Sequence, residues 1–164
     1  MNKLNLRSIG GVNIGEYVYS DKPAEVTKGI YIGSLASATS QQYLDDCSIG
    51  AITNLSGTEY LSTLPVFNIV MSDAHITIYT LDAYIRSFSN GIDAIEKARS
   101  TGKNVLIHCA AGINRSATMI GFYLIHCGWT YDDVYQALTA ANRTRGLPVL
   151  TNESFRYLLQ ARDS

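Results

Sequence analysis

The chain reads as an α/β domain with a central, mostly parallel sheet and helices on both faces. Three observations predict this. Its 164 residues suit one hydrophobic core. Hydrophobic residues make up 46% of them, enough to fill that core. From Val26 onward, short apolar runs alternate with stretches of helical period, the pattern of strands followed by covering helices.

Residues 1–25 carry the least pattern. Gly10, Gly11 and Gly15 lie close together but do not compose a GxGxxG, so the segment reads as an irregular N-terminal arm, with the domain spanning 26–164. Gly29-Ile-Tyr-Ile-Gly33 is a strand between glycines, Ala51–Leu55 a second and Val66–Met71 a third. Val105–His108 is a fourth, nearly all apolar and so buried on both faces. Between the last two, Leu81, Tyr84, Ile85, Phe88, Ile92 and Ile95 form the stripe of an amphipathic helix, with Thr80 as N-cap and Asp82 in the first turn. Met119–Ile125 is apolar on nearly all sides, predicting a core helix that stops at Gly128. Thr130 and Asp133 open a helix that buries Val134, Ala137, Leu138 and Ala141; a last helix carries Phe155, Leu158 and Leu159.

Fourteen acidic residues against thirteen basic ones give a net charge of -1, which argues against an extended nucleic-acid stripe. Cys47, Cys109 and Cys127 show neither a paired framework nor zinc spacing, so the expected setting is a reducing, cytoplasmic one with no metal or other cofactor. Met119–Ile125 falls far short of the ~18–20 apolar residues that span a bilayer, and MNKLNLRSIGG lacks the apolar region of a secretory signal. Neither a membrane span nor a leader is therefore expected.

The chemistry concentrates in Val105-Leu-Ile-His-Cys-Ala-Ala-Gly-Ile-Asn-Arg-Ser116. A buried strand, a short loop and a helix N-terminus together make an anion site: successive N–H groups converge and the helix dipole adds positive charge. Gly112 permits a turn that a Cβ would hinder, and Ala110 and Ala111 let an anion lie against the main chain. The phosphate-binding residues are thus Ala110, Ala111, Gly112, Ile113, Asn114 and Arg115. Cys109 sits at the base of this cup. A free thiol has a pKa of about 8.5, which helix N-termini and guanidinium groups bring to roughly 3.5–7.5. Dipole, loop amides, Arg115 and the Ser116 hydroxyl are the available donors.

Cys47 and Cys127 read as core packing, and His108 as a hydrogen-bonded support for the loop. An ester-cleaving nucleophile needs a general acid for the leaving oxygen. Asp73 is the leading candidate, because it follows the third strand at the sheet edge where Cys109 leaves the fourth. His75 is a lesser contender. Asp82 and Asp93 belong to the helix, and Asp45 and Asp46 to a surface helix end.

His108 to Ser116 matches the HCxxGxxRS signature of cysteine-dependent protein phosphatases. With the run Gly29–Ala38 and the chain's size, residues 26–160 resemble the compact dual-specificity phosphatase domain, nearest its poxvirus H1-type members. The resemblance implies a phosphocysteine on Cys109, phosphate binding by Arg115, and Asp73 as acid and then base. It also implies that Ser116 assists the departing thiolate, and that no metal takes part. Asn152 and Phe155 fall where the family carries a terminal Asn and Phe. The likeness departs at Asn114, where Ser is commoner outside viral and RNA 5′-triphosphatase members, and in a slightly longer spacing from Asp73 to Cys109.

The expected function is hydrolysis of phosphotyrosine and phosphoserine or phosphothreonine in proteins, with no nucleic-acid or membrane partner. The alternatives are an RNA 5′-phosphatase of the same family, hinted at by Asn114-Arg115, and a non-catalytic phosphate-binding module. Inositol phospholipids fit less well, since the loop offers no lysine. The resemblance further implies a homodimer exchanging residues 1–25, and a host-cytoplasmic or virion location if the protein is viral.

Overall fold

A computed structural model describes residues 2–5 and 16–163. β1 (Asn2–Asn5) and β2 (Glu16–Tyr19) form an antiparallel pair, with Asn2 opposite Tyr19. Both strands lie within the 1–25 segment read as an arm; for residues 1 and 6–15 that reading lies outside the described residues.

The main sheet begins at β3 (Ala24–Thr27), two residues before the expected boundary. It continues with β4 (Ile30–Gly33), β5 (Ile49–Asn54), β6 (Val66–Asn68) and β7 (Asn104–His108) in the order β3-β4-β7-β5-β6. Only β3 pairs antiparallel. Apolar β7 takes the centre: Val105, Leu106 and Ile107 are fully buried, because both flanking strands and both faces are covered. Its register sets Gly33 and Asn54 beside His108, so three strands end together at the site.

On one face α3 (Leu81–Ser100), α4 (Arg115–His126), α5 (Tyr131–Thr144) and α6 (Glu153–Asp163) bury Phe88, Ile120, Leu138 and Phe155 in a common core. Phe88 stacks on Phe122 with ring centroids 4.2 Å apart, joining α3 to α4. A Cβ on Gly91 would stand 2.0 Å from the Met119 sulfur, so this glycine lets the two helices approach. On the other face, α1 (Leu35–Ala38) and α2 (Gln41–Asp46) cover Ile49, Ile52 and Leu106 with Ala38, Leu44 and Cys47. Among the described residues no helix is long and apolar enough to cross a membrane.

Four local expectations are corrected. The third strand stops at Asn68, because after the Ile69 N–H bonds to the Asn54 carbonyl the chain turns out and Val70 is exposed. Thr80 takes the N-cap position but makes no side-chain cap; its hydroxyl donates to the Thr77 carbonyl and accepts from the Thr77 N–H. Leu81 and Ile85 stand on the exposed side of α3, while Tyr84, Phe88 and Ile95 carry its packing. Cys127, at the C-cap of α4, is exposed rather than core. Thr130 does cap α5, its hydroxyl accepting the Asp133 N–H at 3.2 Å.

Candidate active site

The loop from Cys109 to Asn114 joins β7 to α4. Its carbonyls all find donors elsewhere in the protein. His108 Nδ1 meets the Cys109 carbonyl at 3.0 Å and the Leu35 N–H donates to Ala110 at 3.1 Å. Arg145 donates to Ala111 and Gly112, each at 2.9 Å, and Asn142 donates to Gly112 at 2.8 Å. The Leu150 N–H bonds the Ile113 carbonyl at 2.9 Å, and the Thr118 N–H and hydroxyl take that of Asn114. With the carbonyls held outward, the alternating peptide dipoles aim the amides into the cup. Gly112 has φ +76°, and a Cβ there would lie 2.5 Å from both the Gly33 carbonyl oxygen and an Arg145 nitrogen.

Cys109 is buried, with its Sγ 3.3 Å from the Ser116 hydroxyl and 3.3 Å from the Gly112 nitrogen. Burial alone would raise the thiol pKa. The Ser116 hydroxyl and the amides of Ser116, Gly112 and Ile113 outweigh it, and the net shift is downward. His108 is fully buried, and desolvation lowers its pKa to about 4. It is therefore neutral. Since a carbonyl only accepts, Nδ1 carries the proton given to Cys109, and Nε2 accepts from the Tyr60 hydroxyl at 2.7 Å.

Arg115 opens α4 and turns Nη1 to the carbonyls of Leu55 (2.9 Å), Met71 (3.2 Å) and Ser56 (3.3 Å). Its buried Nε has no acceptor among the described residues, leaving a donor suited to an oxyanion. Asp73 lies on the exposed loop after β6 rather than directly on the strand. Even so, it reaches the phosphate loop: Asn114 Nδ2 donates to its Oδ2 at 3.0 Å and Asn152 Nδ2 to its Oδ1 at 3.1 Å. Cys109, Ser116, Asn114, Arg115 and Asp73 are thus gathered at one sheet edge, whereas His75 stays exposed on the loop after β6. Among the described residues no cluster of His, Cys, Asp and Glu could hold a metal ion.

Sequence reasoning missed Arg145, Asn142 and Tyr60. Arg145 is 1% exposed and burial brings its pKa down to about 10, so it is a buried cation serving loop carbonyls. The polar run Asn142-Arg-Thr-Arg-Gly146 reads as a solvated helix end and gives no warning of this. Arg145→Met should cost about 1–3 kcal/mol, the penalty for leaving the buried Asn142 Oδ1 without its donor, with the Ala111 carbonyl losing its own as well. The catalytic efficiency should fall with it; an unchanged thermal midpoint and unchanged kcat/KM would refute the role.

The family model of the dual specificity phosphatase catalytic domain matches residues 30–163. The chain belongs to this family. Dual specificity protein phosphatase 1-A of Xenopus laevis is 33% identical over 107 residues, covering 63% of this chain and 27% of that protein. The chain therefore spans only about a quarter of that relative's length. The crystal structure of DUSP15 superposes with a TM-score of 0.72 at 25% identity, covering 87% of each chain. Orf virus OH1, described as a tyrosine phosphatase with triple substrate specificity, superposes with a TM-score of 0.64 at 20% identity over 86% of each chain. This second likeness is one of fold. As a dual-specificity phosphatase domain, the chain presents the Cys109–Asn114 loop between β7 and α4, with helices covering both sides of the sheet.

Proposed function

We propose that this domain hydrolyses phosphotyrosine and phosphoserine or phosphothreonine in proteins through a phosphocysteine on Cys109. The observation that carries this reading is the pairing of a thiol of lowered pKa with a loop whose carbonyls all face away from it. Cys109 Sγ attacks phosphorus while the bond to the ester oxygen breaks, and Asp73 protonates that oxygen as it leaves. The amides of Ala110 to Asn114 and the Arg115 guanidinium hold the three remaining oxygens. Water then attacks the phosphocysteine, Asp73 takes a proton from it, and the Ser116 hydroxyl supports the sulfur as it departs.

Ala110 and Ala111 are exposed at the rim, so the cup is shallow enough for the short phosphoserine arm as well as phosphotyrosine. We propose further that the protein is an H1-type viral member, a reading that Asn114 and the fold likeness to Orf virus OH1 support, and that it acts in host cytoplasm or virion with its N-terminal arm exchanged in a homodimer. Light scattering of a chain lacking residues 1–19, which leaves β3 intact, should then report a monomer; a mass still twice that of the truncated chain rejects the exchange.

Turnover should be compared on matched phosphotyrosine and phosphothreonine peptides and on 5′-triphosphorylated RNA. Both peptides should be hydrolysed, faster than RNA. Activity confined to phosphotyrosine would reject dual specificity, and a dominant, salt-sensitive RNA activity would move the substrate to nucleic acid. Peptide binding without turnover would make the domain a reader of phosphate.

A further inference from the structure

We infer that Asn152 and Ser154, at the start of α6, are positioning residues that fasten the acid loop over the phosphate loop. This rests on the reading of Asp73 as the general acid. Asp73 and its neighbours Ser72, Ala74 and His75 are all exposed, and no sheet pairing fixes them. Loops of this kind open readily, yet a proton donor displaced by ~1 Å forfeits roughly 10²-fold in rate.

The Tyr84 hydroxyl meets the Ser72 hydroxyl and carbonyl at the start of this segment; beyond it, four hydrogen bonds hold residues 73–76 and a fifth joins their holders. Asn152 Nδ2 donates to Asp73 Oδ1 at 3.1 Å and to the Ala74 carbonyl at 3.0 Å. Ser154 Oγ accepts the Ile76 N–H at 2.9 Å. From the phosphate loop, Asn114 Nδ2 takes Asp73 Oδ2, while Asn114 Oδ1 accepts the Asn152 N–H at 2.9 Å. Asn152 thereby touches both loops.

The orientation of its amide is fixed by chemistry. Oδ1 accepts from the Ser154 N–H at 3.1 Å, the Ser154 hydroxyl at 2.7 Å and the Phe155 N–H at 3.4 Å, so it caps α6. A flipped amide would set its NH₂ against two N–H donors and its oxygen against a carboxylate and a carbonyl. One end of the group caps a helix and the other grips the acid loop. Fully buried Phe155 and Leu159 root that helix in the core, so the grip has a firm base.

A plain helix cap and a positioning residue differ in which substrates notice the loss. Asn152→Ser keeps a capping oxygen but cannot reach Asp73, and Ser154→Ala removes only a side-chain hydroxyl. The variants should be assayed for kcat/KM, which reports the steps through phosphorylation of Cys109, on aryl and alkyl phosphates of graded leaving-group basicity. Asp73→Asn runs alongside.

For Asn152→Ser the loss should grow to roughly 10²-fold with the most basic leaving groups and nearly vanish with 4-nitrophenolate, which needs little protonation. Ser154→Ala should show the same trend, weaker. A uniform loss across the series, or none, in both variants would reduce the two residues to structural caps and overturn the inference. If Asp73→Asn itself gives a flat series, the acid assignment fails instead. A selective Asp73→Asn beside flat Asn152→Ser and Ser154→Ala defeats the clasp alone.

Discussion

Cys109→Ser is expected to abolish turnover and to leave phosphopeptide binding intact. Arg115 and the donors that hold the loop carbonyls do not depend on the sulfur, and a serine oxygen can still accept the Gly112 N–H, so the anion still finds its donors. A serine hydroxyl stays protonated in this range and offers no anion to attack phosphorus. Trapping phosphoenzyme in the wild type, and failing to trap it in the variant, checks the chemical half. Equilibrium binding checks the other half, and turnover persisting in Cys109→Ser would displace the nucleophile.

The same substitution carries a stability signature. The Cys109 thiol titrates lower in the folded protein than in the unfolded chain. Its ionised form therefore stabilises the fold fully above the unfolded thiol's pKa of ~8.5, and that contribution fades as pH falls through the folded value. The stability of wild type relative to Cys109→Ser should consequently rise from acid to alkaline pH in denaturant titrations. A difference that stays constant with pH would mean the sulfur is neutral in the fold.

Asp73→Asn should lower kcat by roughly 10²–10⁴-fold, the usual contribution of a positioned proton donor. Asparagine is close in size, but its single carbonyl oxygen can keep only one of the two bonds from Asn114 and Asn152 and its NH₂ meets the other donor, so the loss combines proton transfer with a weakened hold on the loop. The alkaline fall in the pH–rate profile should flatten, because no ionising donor remains to be lost. Wild-type activity in this variant would move the acid to another group.

The strand–loop–helix unit at 105–126 was legible because its signals are local: an apolar run, one glycine where φ is positive, and Arg-Ser at a helix start. The same holds for Thr130, whose cap lies three residues ahead. Arg145 was not legible. It meets Gly112 across 33 residues of sequence, and nothing in a polar run announces that tertiary burial will remove it from water. Tyr60 reaches His108 over 48 residues from a loop without periodicity, and it too is invisible to pattern. The failed cap at Thr80 has a different cause, since Thr77 competes for the same hydroxyl. Asp73 stands beside the Cys109 loop as topology predicts although its strand is shorter, because the sheet edge, more than strand length, decides where its loop emerges.

The fully engaged ring of carbonyls has a consequence for selectivity. Ordering of the cradle is completed when the chain folds, so little reorganisation remains when an oxyanion arrives. A receptor so rigid greets any tetrahedral dianion alike, including released phosphate and mimics such as vanadate. Discrimination between one phosphorylated protein and another must then originate outside it, on ground such as the bare Ile78 and Tyr79 side chains flanking the acid segment.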